Sequence, residues 1–142
     1  MQTFRSLNSD DQSRLRADRE FVAELIHRKF RWKILNGSAR DIELLQQALN
    51  SESYSEQAEA ELMVFGTCLG DLLASALLMS WVRYDDEHGV DLALRYGDTS
   101  IAVFPRDMII KRVEQVESPD LQHLYDGVIA EVRQLVASGE YS

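Results

Sequence analysis

The sequence predicts a single small α+β domain, mostly helical, with a three-stranded antiparallel meander between a long central helix and two C-terminal helices. Two observations indicate this class. Apolar residues recur at helical spacing over most of the chain, whereas between residues 81 and 104 they alternate with other residues, as in strands. The 142 residues suit one domain, 1–142, with a helical N-terminal part (1–55) and the central helix, meander and C-terminal helices in 56–138.

The N-terminal part predicts two helices. The first begins near Ser9, with Gln12 three residues on as its capping-box partner. It is expected to end at Asn36-Gly37, because glycine readily takes the left-handed conformation found at helix C-termini. Ser38 is expected to cap a short second helix, whose inward side chains are Ile42, Leu45 and Leu49.

The central helix is predicted from about Glu56 to Met79. From Leu62 onward it is apolar nearly all round, which is typical of a buried helix at the centre of a domain. Gly66, Gly70 and Ala74 are spaced by four residues and form a smooth strip. Since each interior glycine costs about 0.8–1 kcal/mol relative to alanine, we expect another element to pack closely there.

The meander is predicted from strands at 81–84, 90–96 and 99–104, joined by turns at 86–89 and 97–98 that each contain a glycine. The following helices begin at Pro105 and at Ser118-Pro119-Asp120, because proline suits the first helical turn. The last helix has a clear apolar stripe from residue 121 to residue 136 and is expected to stop at Gly139.

Alternation predicts two different faces for this sheet. The core face is expected to carry Val82, Tyr84, Leu92, Leu94, Ile101 and Val103. The opposite face is expected to carry Trp81, Arg83, Asp91, Ala93, Arg95, Ser100, Ala102 and Phe104. That face either binds a partner, since Trp and Arg are enriched in interface hot spots, or is covered by the first helix, whose carboxylates would pair with the arginines. The second alternative is slightly favoured.

The net charge is −9, from 15 basic and 24 acidic residues. This balance disfavours binding to nucleic acids or anionic membranes, because phosphate contacts need clustered lysine and arginine. The run of bases and aromatics at residues 27–33 resembles a single-strand binder, but a helix C-terminus also favours cations. Because the whole protein is acidic, we interpret that run as a partly solvated helix face.

Other chemical signals are weak. The acidic turn from Asp85 to His88 could suit a metal or acid/base site, yet it lacks the calcium-loop pattern and suits a solvated hairpin better. The three histidines share no ligand spacing, and Cys68 is expected to be a buried structural cysteine. We therefore expect no catalytic residues, metal or cofactor. With no signal peptide and no apolar segment of about 18 residues, we expect a cytoplasmic protein.

Several motifs between Leu62 and Val113 resemble a known family. They are Phe65-Gly66, Leu69-Gly70, Trp81-Val82, Asp86-Glu87 before Gly89, Asp91-Leu92-Ala93-Leu94, Phe104-Pro105 and Lys111-Arg112-Val113. In this order they resemble the bacterial family catalogued as domain of unknown function 3806, although His88 stands where an aromatic residue is expected. The resemblance covers about a third of the chain and supports the fold, since the family brings no established activity.

The favoured function is a non-enzymatic cytoplasmic protein-binding module. Its partner is expected to be another protein with a basic surface, and the acidic, small domain resembles immunity proteins that inhibit basic toxins. The candidate binding residues are Trp81, Arg83, Asp91, Arg95, Phe104, Lys111 and Arg112. One alternative is a small-ligand protein or enzyme that uses the acidic hairpin or the outer sheet face. Another is an adaptor or homodimer that uses the glycine strip or that same face.

Overall fold

A computed structural model describes residues 3–31, 33–51, 59–114 and 119–139. In this part of the chain the helices are α1 (Ser9–Lys29), α2 (Asp41–Asn50), α3 (Glu59–Leu77), α4 (Pro105–Glu114) and α5 (Leu121–Ser138). The strands are β1 (Thr3–Arg5), β2 (Ser80–Asp86), β3 (Gly89–Arg95) and β4 (Ala102–Val103). The predicted α+β class is confirmed. The predicted helix start at Glu56, the boundary after residue 55, Trp32 and Ser118 lie outside the described residues.

The antiparallel sheet has the strand order β1-β2-β3-β4. The sequence prediction of three strands missed β1, which pairs along β2 with Phe4 opposite Tyr84. Three residues are too few to show alternation, so β1 carries no periodic signal. The last strand, predicted at 99–104, is shorter in the structure and spans Ala102–Val103. The hydrogen bonds from Thr99 N to the Tyr96 carbonyl (3.1 Å) and from Tyr96 N to the Ile101 carbonyl (3.1 Å) fold its first predicted residues into a turn.

The helix ends differ from the prediction at α1 and α2. The capping box of α1 joins Asn8 and Asp11, one residue before the predicted pair of Ser9 and Gln12. α1 ends at Lys29 and not at Asn36. Ser38 gives no side-chain cap to α2; instead the Asp41 carboxylate accepts the N–H groups of Asn36 (3.0 Å) and Gly37 (2.8 Å). This contact runs backwards along the chain, opposite to the usual N-cap direction.

α3 lies at the centre of the fold, as predicted. Its core side chains Leu62, Phe65, Leu69 and Leu73 are at most 1% exposed. By length and composition alone α3 could cross a membrane, contrary to the expectation from the sequence, but 56% of its apolar window is buried within the fold. This is what the core helix of a domain shows.

The predicted glycine strip on α3 is where α4 and β2 pack closely. A Cβ on Gly66 would collide with the Pro105 carbonyl oxygen, and one on Gly70 would lie 2.5 Å from the Trp81 ring. Both glycines are therefore required by the close approach of their neighbours, which confirms the expected reason for their presence in a helix interior.

α3 ends in an unusual turn. Leu78 has a positive φ of 54°, and Met79 N donates to the Ala74 carbonyl at 3.0 Å, the long bond of a Schellman motif. Glycine is the usual residue at this left-handed position, yet here a leucine occupies it with its side chain 83% exposed. The turn therefore carries backbone strain with little side-chain burial in return.

The register of β2 and β3 corrects the predicted sheet faces. Trp81 lies opposite Leu94 and Arg83 opposite Leu92, so these four share one face, while Val82 opposite Ala93 and Tyr84 opposite Asp91 share the other. The prediction grouped Val82 and Tyr84 with the leucines. The two-residue turn from Asp86 to Gly89 pairs even-numbered residues of β2 with odd-numbered residues of β3, and this parity decides the faces.

Candidate functional site

Two of the predicted binding residues, Trp81 and Arg83, share a face of the sheet with Leu92 and Leu94. We call this face, which is turned toward the helices α1 and α3, the inner face, and the opposite one the outer face. Arg83 Nη1 is 3.0 Å from Asp11 Oδ1 on α1, and Trp81 Nε1 donates to Asp71 Oδ1 on α3 at 3.0 Å. For Arg83, the alternative in which helix carboxylates pair with the arginines is confirmed. Trp81 packs against Gly70 and is a structural residue here.

The other predicted arginine of the sheet, Arg95, lies on the outer face. Its Cζ is 4.2 Å from the centre of the Phe4 ring, which is cation–π geometry. Its Nε donates to the Thr99 carbonyl at 2.7 Å and its Nη2 to the Asp98 carbonyl at 3.0 Å. The backbone of the turn after β3 therefore holds Arg95, and not the carboxylates of α1.

The outer face carries an aromatic row, which we define as Phe4, Tyr84 and Phe104. The Phe4 and Tyr84 ring centroids are 5.4 Å apart with planes at 60°, and those of Tyr84 and Phe104 are 5.1 Å apart and nearly perpendicular. All three side chains are half-buried. Partial burial, with Asp86 and Glu87 nearby, raises the pKa of the Tyr84 phenol, so this ring stays uncharged and can donate a hydrogen bond.

A cleft of about 380 Å³ adjoins the aromatic row between the β2–β3 hairpin and α4. We call it the hairpin cleft. Its walls bring together Tyr84, Asp86, His88, Gly89, Val90, Asp91, Phe104, Asp107 and Lys111. Three predicted binding residues thus meet here: Asp91, Phe104 and Lys111. Arg112, half-buried on α4, is not among its lining residues.

A second cleft of about 370 Å³, which we call the arginine cleft, lies between the start of α1, β3 and α4. It is lined by Asn8, Asp10, Asp11, Arg14, Met63, Arg83, Val90, Asp91, Leu92 and Arg106. The capping box of α1 builds one wall, because Asp11 both accepts the Asn8 N–H at 3.1 Å and pairs with Arg83. This cleft was not predicted from the sequence.

Arg106 is buried beneath the arginine cleft, at 6% exposure. Its Nη2 lies 3.3 Å from Asp18 Oδ2, and its Nε donates to Thr67 Oγ1 at 3.2 Å. Thr67 in turn donates to Asp18 at 2.6 Å, so one network joins α1, α3 and α4. Arg106 was not among the residues predicted to form a site. Its one signal is a cation in a first helical turn, where the helix dipole disfavours positive charge.

Asp91 lines both clefts. Its Oδ1 accepts the Leu92 N–H at 2.8 Å, and its carboxyl group is hydrogen-bonded to that of Asp107. Burial, that hydrogen bond and the repulsion from Asp107 raise the pKa of Asp91 from 3.8 to about 6, against the smaller effects of the Leu92 N–H and Arg106. At neutral pH the Asp91 carboxyl group is therefore ionised, although its burial and the neighbouring Asp107 disfavour the charged form.

Other candidate chemistry is accounted for by structure. Cys68 is buried, and desolvation raises the pKa of its thiol to about 12, which leaves no thiolate for nucleophilic attack. This confirms its structural interpretation. In residues 3–31, 33–51, 59–114 and 119–139, no three His, Cys, Asp or Glu side chains come together as metal ligands. The acidic turn contains a bond from His88 N to Asp86 Oδ1 at 2.8 Å, as turns commonly do.

Comparison with known proteins places the fold. A family model described as "Domain of unknown function (DUF3806)" matches residues 41–125, more than half of the chain, from α2 into α5. A crystal structure of a protein from Bacteroides thetaiotaomicron VPI-5482 has a TM-score of 0.80 at 17% identity, covering 90% of this chain and 47% of that one. At that identity the likeness shows the fold alone, and this chain spans about half the length of that protein. No curated protein matches significantly.

Proposed function

This chain belongs to the family described as domain of unknown function (DUF3806), and from that premise we propose that it is a non-enzymatic, cytoplasmic protein-binding module for a basic protein. The surface that we assign to the partner is the outer face of the sheet, with the aromatic row at its centre. The observation that carries the proposal is the packing of three half-buried aromatic rings on that face, with Arg95 stacked on Phe4.

The aromatic row suits a protein interface because its side chains are already ordered. The rings hold one another in tilted and edge-to-face contacts, so binding would freeze few further side-chain rotations. Tyrosine and arginine are also the residue types that contribute most at interface hot spots. A partner side chain that buried these rings would therefore gain apolar contact at a low entropic cost.

The charge around the aromatic row favours a basic partner. Asp86, Glu87 and Asp98 lie at the turns that border this face, and the whole chain carries a net charge of −9. Opposite charge across an interface mainly accelerates association, and salt weakens that effect. A finer form of the proposal is an immunity-type inhibitor of a basic toxin, in which acidic surface charge draws the toxin onto the aromatic row.

The test is a capture experiment with matched variants. The tagged wild-type protein, a Tyr84→Ala/Phe104→Ala variant and a Phe21→Ala control are used to isolate partners from a lysate of the native host. Phe21 is an exposed aromatic residue (45%) on α1, the helix that pairs with the inner face of the sheet. Melting curves establish that each variant is folded.

The proposal expects one basic protein to bind the wild type and the control, and the double variant to lose about 2 kcal/mol of binding free energy or more. The association rate with that partner should fall steeply as salt rises. Equal binding by all three proteins, or a rate indifferent to salt, would contradict the proposed surface. If light scattering shows that the partner is a second copy of this chain, the homodimer alternative replaces it.

A further inference from the structure

We infer that the arginine cleft binds a small zwitterion that carries an ammonium and a carboxylate group on one apolar skeleton, as a free amino acid with an apolar side chain does. This site is separate from the aromatic row and does not depend on the protein-binding proposal. The inference rests on three parts of the cleft: a buried arginine for the carboxylate, an aspartate for the ammonium group, and an apolar wall.

The carboxylate would bind Arg106. This side chain is more than nine-tenths buried; its Nε donates to Thr67 Oγ1 and its Nη2 pairs with the Asp18 carboxylate. Within the described residues Nη1 of Arg106 has no hydrogen-bond partner. In that part of the chain, however, every fully buried side-chain nitrogen has one. Nη1 must therefore be accessible, and Arg106 lines the arginine cleft. A guanidinium held on one side and open on the other is oriented to bind an anion before it arrives.

The ammonium group would bind Asp91. One oxygen of this carboxylate accepts the Leu92 N–H, and the group lies against the like charge of Asp107. A cation beside Asp91 would relieve that repulsion in the way that any opposite charge stabilises a carboxylate. Asp10 and Asn8, at the start of α1, line the same cleft and offer further oxygen acceptors.

The lining also sets the overall charge of the ligand. Arg14, Arg83 and Arg106 face Asp10, Asp11 and Asp91, so cations and anions in the walls are equal in number. Such a lining favours a ligand that carries both charges over one that brings a net charge. The remaining side chains are Met63, Val90 and Leu92, of which Val90 is 51% exposed and can be covered by a ligand. The volume of about 370 Å³ lies at the low end for ligand sites, which suits a single amino acid.

The ligand test compares molecules that differ by one charged group. L-leucine and L-methionine are titrated into the full chain by calorimetry, alongside 4-methylpentanoate, which lacks the ammonium group, and 3-methylbutylamine, which lacks the carboxylate. We expect an amino acid to bind and raise the melting temperature, and each one-charge analogue to bind at least about tenfold more weakly, because hydrogen bonds to charged groups are strong. No melting shift with either amino acid at about 10 mM, where a Kd of about 1 mM would be visible, overturns the inference.

The variant test locates the binding. Arg14→Gln and Asp91→Asn change the cleft without emptying the buried network, since Arg14 is exposed and asparagine still offers an oxygen to the Leu92 N–H. Arg133→Gln and Asp126→Asn make the same chemical changes on the exposed side of α5. We expect Asp91→Asn to lose about tenfold or more in affinity for the amino acid, Arg14→Gln to lose less, and both controls to bind as the wild type does. Wild-type affinity in Asp91→Asn, or equal losses in the controls, would refute the assignment.

Discussion

Asp91 offers a direct test of the electrostatics of the two clefts through the substitution Asp91→Asn. The carboxyl group is half-buried between β3 and α4 and lies against Asp107, and these surroundings raise its pKa from 3.8 to about 6. Asparagine has nearly the same shape, keeps an oxygen for the Leu92 N–H, and can donate its amide to Asp107. The substitution therefore removes the charge while its main contacts persist.

The sign of the effect follows from proton binding. In the unfolded chain Asp91 ionises near its usual pKa of 3.8, whereas in the folded protein it holds its proton up to about pH 6. The folded state thus binds more protons between these values, so stability falls as the pH rises through this window. Above about pH 6 the full cost of the ionised group is present, and below about pH 4 it is absent.

The magnitude follows from the same difference. At about 1.4 kcal/mol per tenfold change, the raised pKa of Asp91 corresponds to about 3 kcal/mol for a group sealed from water. Asp91 is only half-buried, and screening by solvent reduces the expected gain of Asp91→Asn to about 1 kcal/mol. In a chain of 142 residues this corresponds to a rise of about 3 °C in melting temperature.

The assay is urea unfolding of the wild type, Asp91→Asn and the exposed control Asp126→Asn at pH 7.5 and pH 4. Asp91→Asn should be more stable than the wild type at pH 7.5 and equal to it at pH 4, while the control should match the wild type at both. A variant that is less stable at pH 7.5, or that shows the same difference at both pH values, would refute the reasoning. A less stable variant at pH 7.5 would mean that an attraction to the ionised Asp91 outweighs the cost of its burial and its repulsion from Asp107.

Other perturbations test the backbone and the packing. Leu78→Gly should raise stability by about 0.5–1 kcal/mol in a thermal melt. It relieves the left-handed strain of about 1–2 kcal/mol, against a cost of about 0.5–1 kcal/mol because glycine gives the unfolded chain more entropy. A loss of stability would show that the exposed leucine makes contacts that stabilise the fold. Gly66→Ala should destabilise by about 1–3 kcal/mol because its Cβ meets the Pro105 carbonyl, whereas Gly127→Ala, with open space on α5, should stabilise by up to about 1 kcal/mol. A stability change of the same sign in both variants would exclude close packing at Gly66 as the cause of the expected loss. Asn8→Ala should cost about 1 kcal/mol in urea unfolding by removing the α1 cap, and an unchanged midpoint would contradict its role.

The sequence predicted those features whose signals are local. The buried character of α3, its glycine strip, the start of α4 at Pro105 and the end of α5 at Gly139 each follow from a few neighbouring residues. β1 could not be predicted, because three residues show no period and its partner is some eighty residues away. The sheet faces were wrong because alternation within each strand does not reveal the parity that the turn imposes between strands.

The candidate sites were harder to predict because they depend on long-range pairs. Arg83 drew attention as a surface arginine, but only the fold shows that Asp11, 72 residues earlier, binds it. Arg106 drew none, although it joins α1 to α3 through Asp18 and Thr67. In both cases the partner is an ordinary helix residue whose sequence neighbours give no reason to expect a buried ion pair.

Asp91 connects the two proposals, because it lies in the walls of both the hairpin cleft and the arginine cleft. The Asp91→Asn variant is expected to be more stable than the wild type at neutral pH, so stability does not explain why the chain has an aspartate at this position. A residue that lowers stability and is needed for binding is the signature of a functional site. If Asp91→Asn is both more stable and unable to bind an amino acid, the arginine cleft is such a site. If the variant loses instead the protein partner and keeps the amino acid, the hairpin cleft is the functional one and the partner contacts extend from the aromatic row to Asp91.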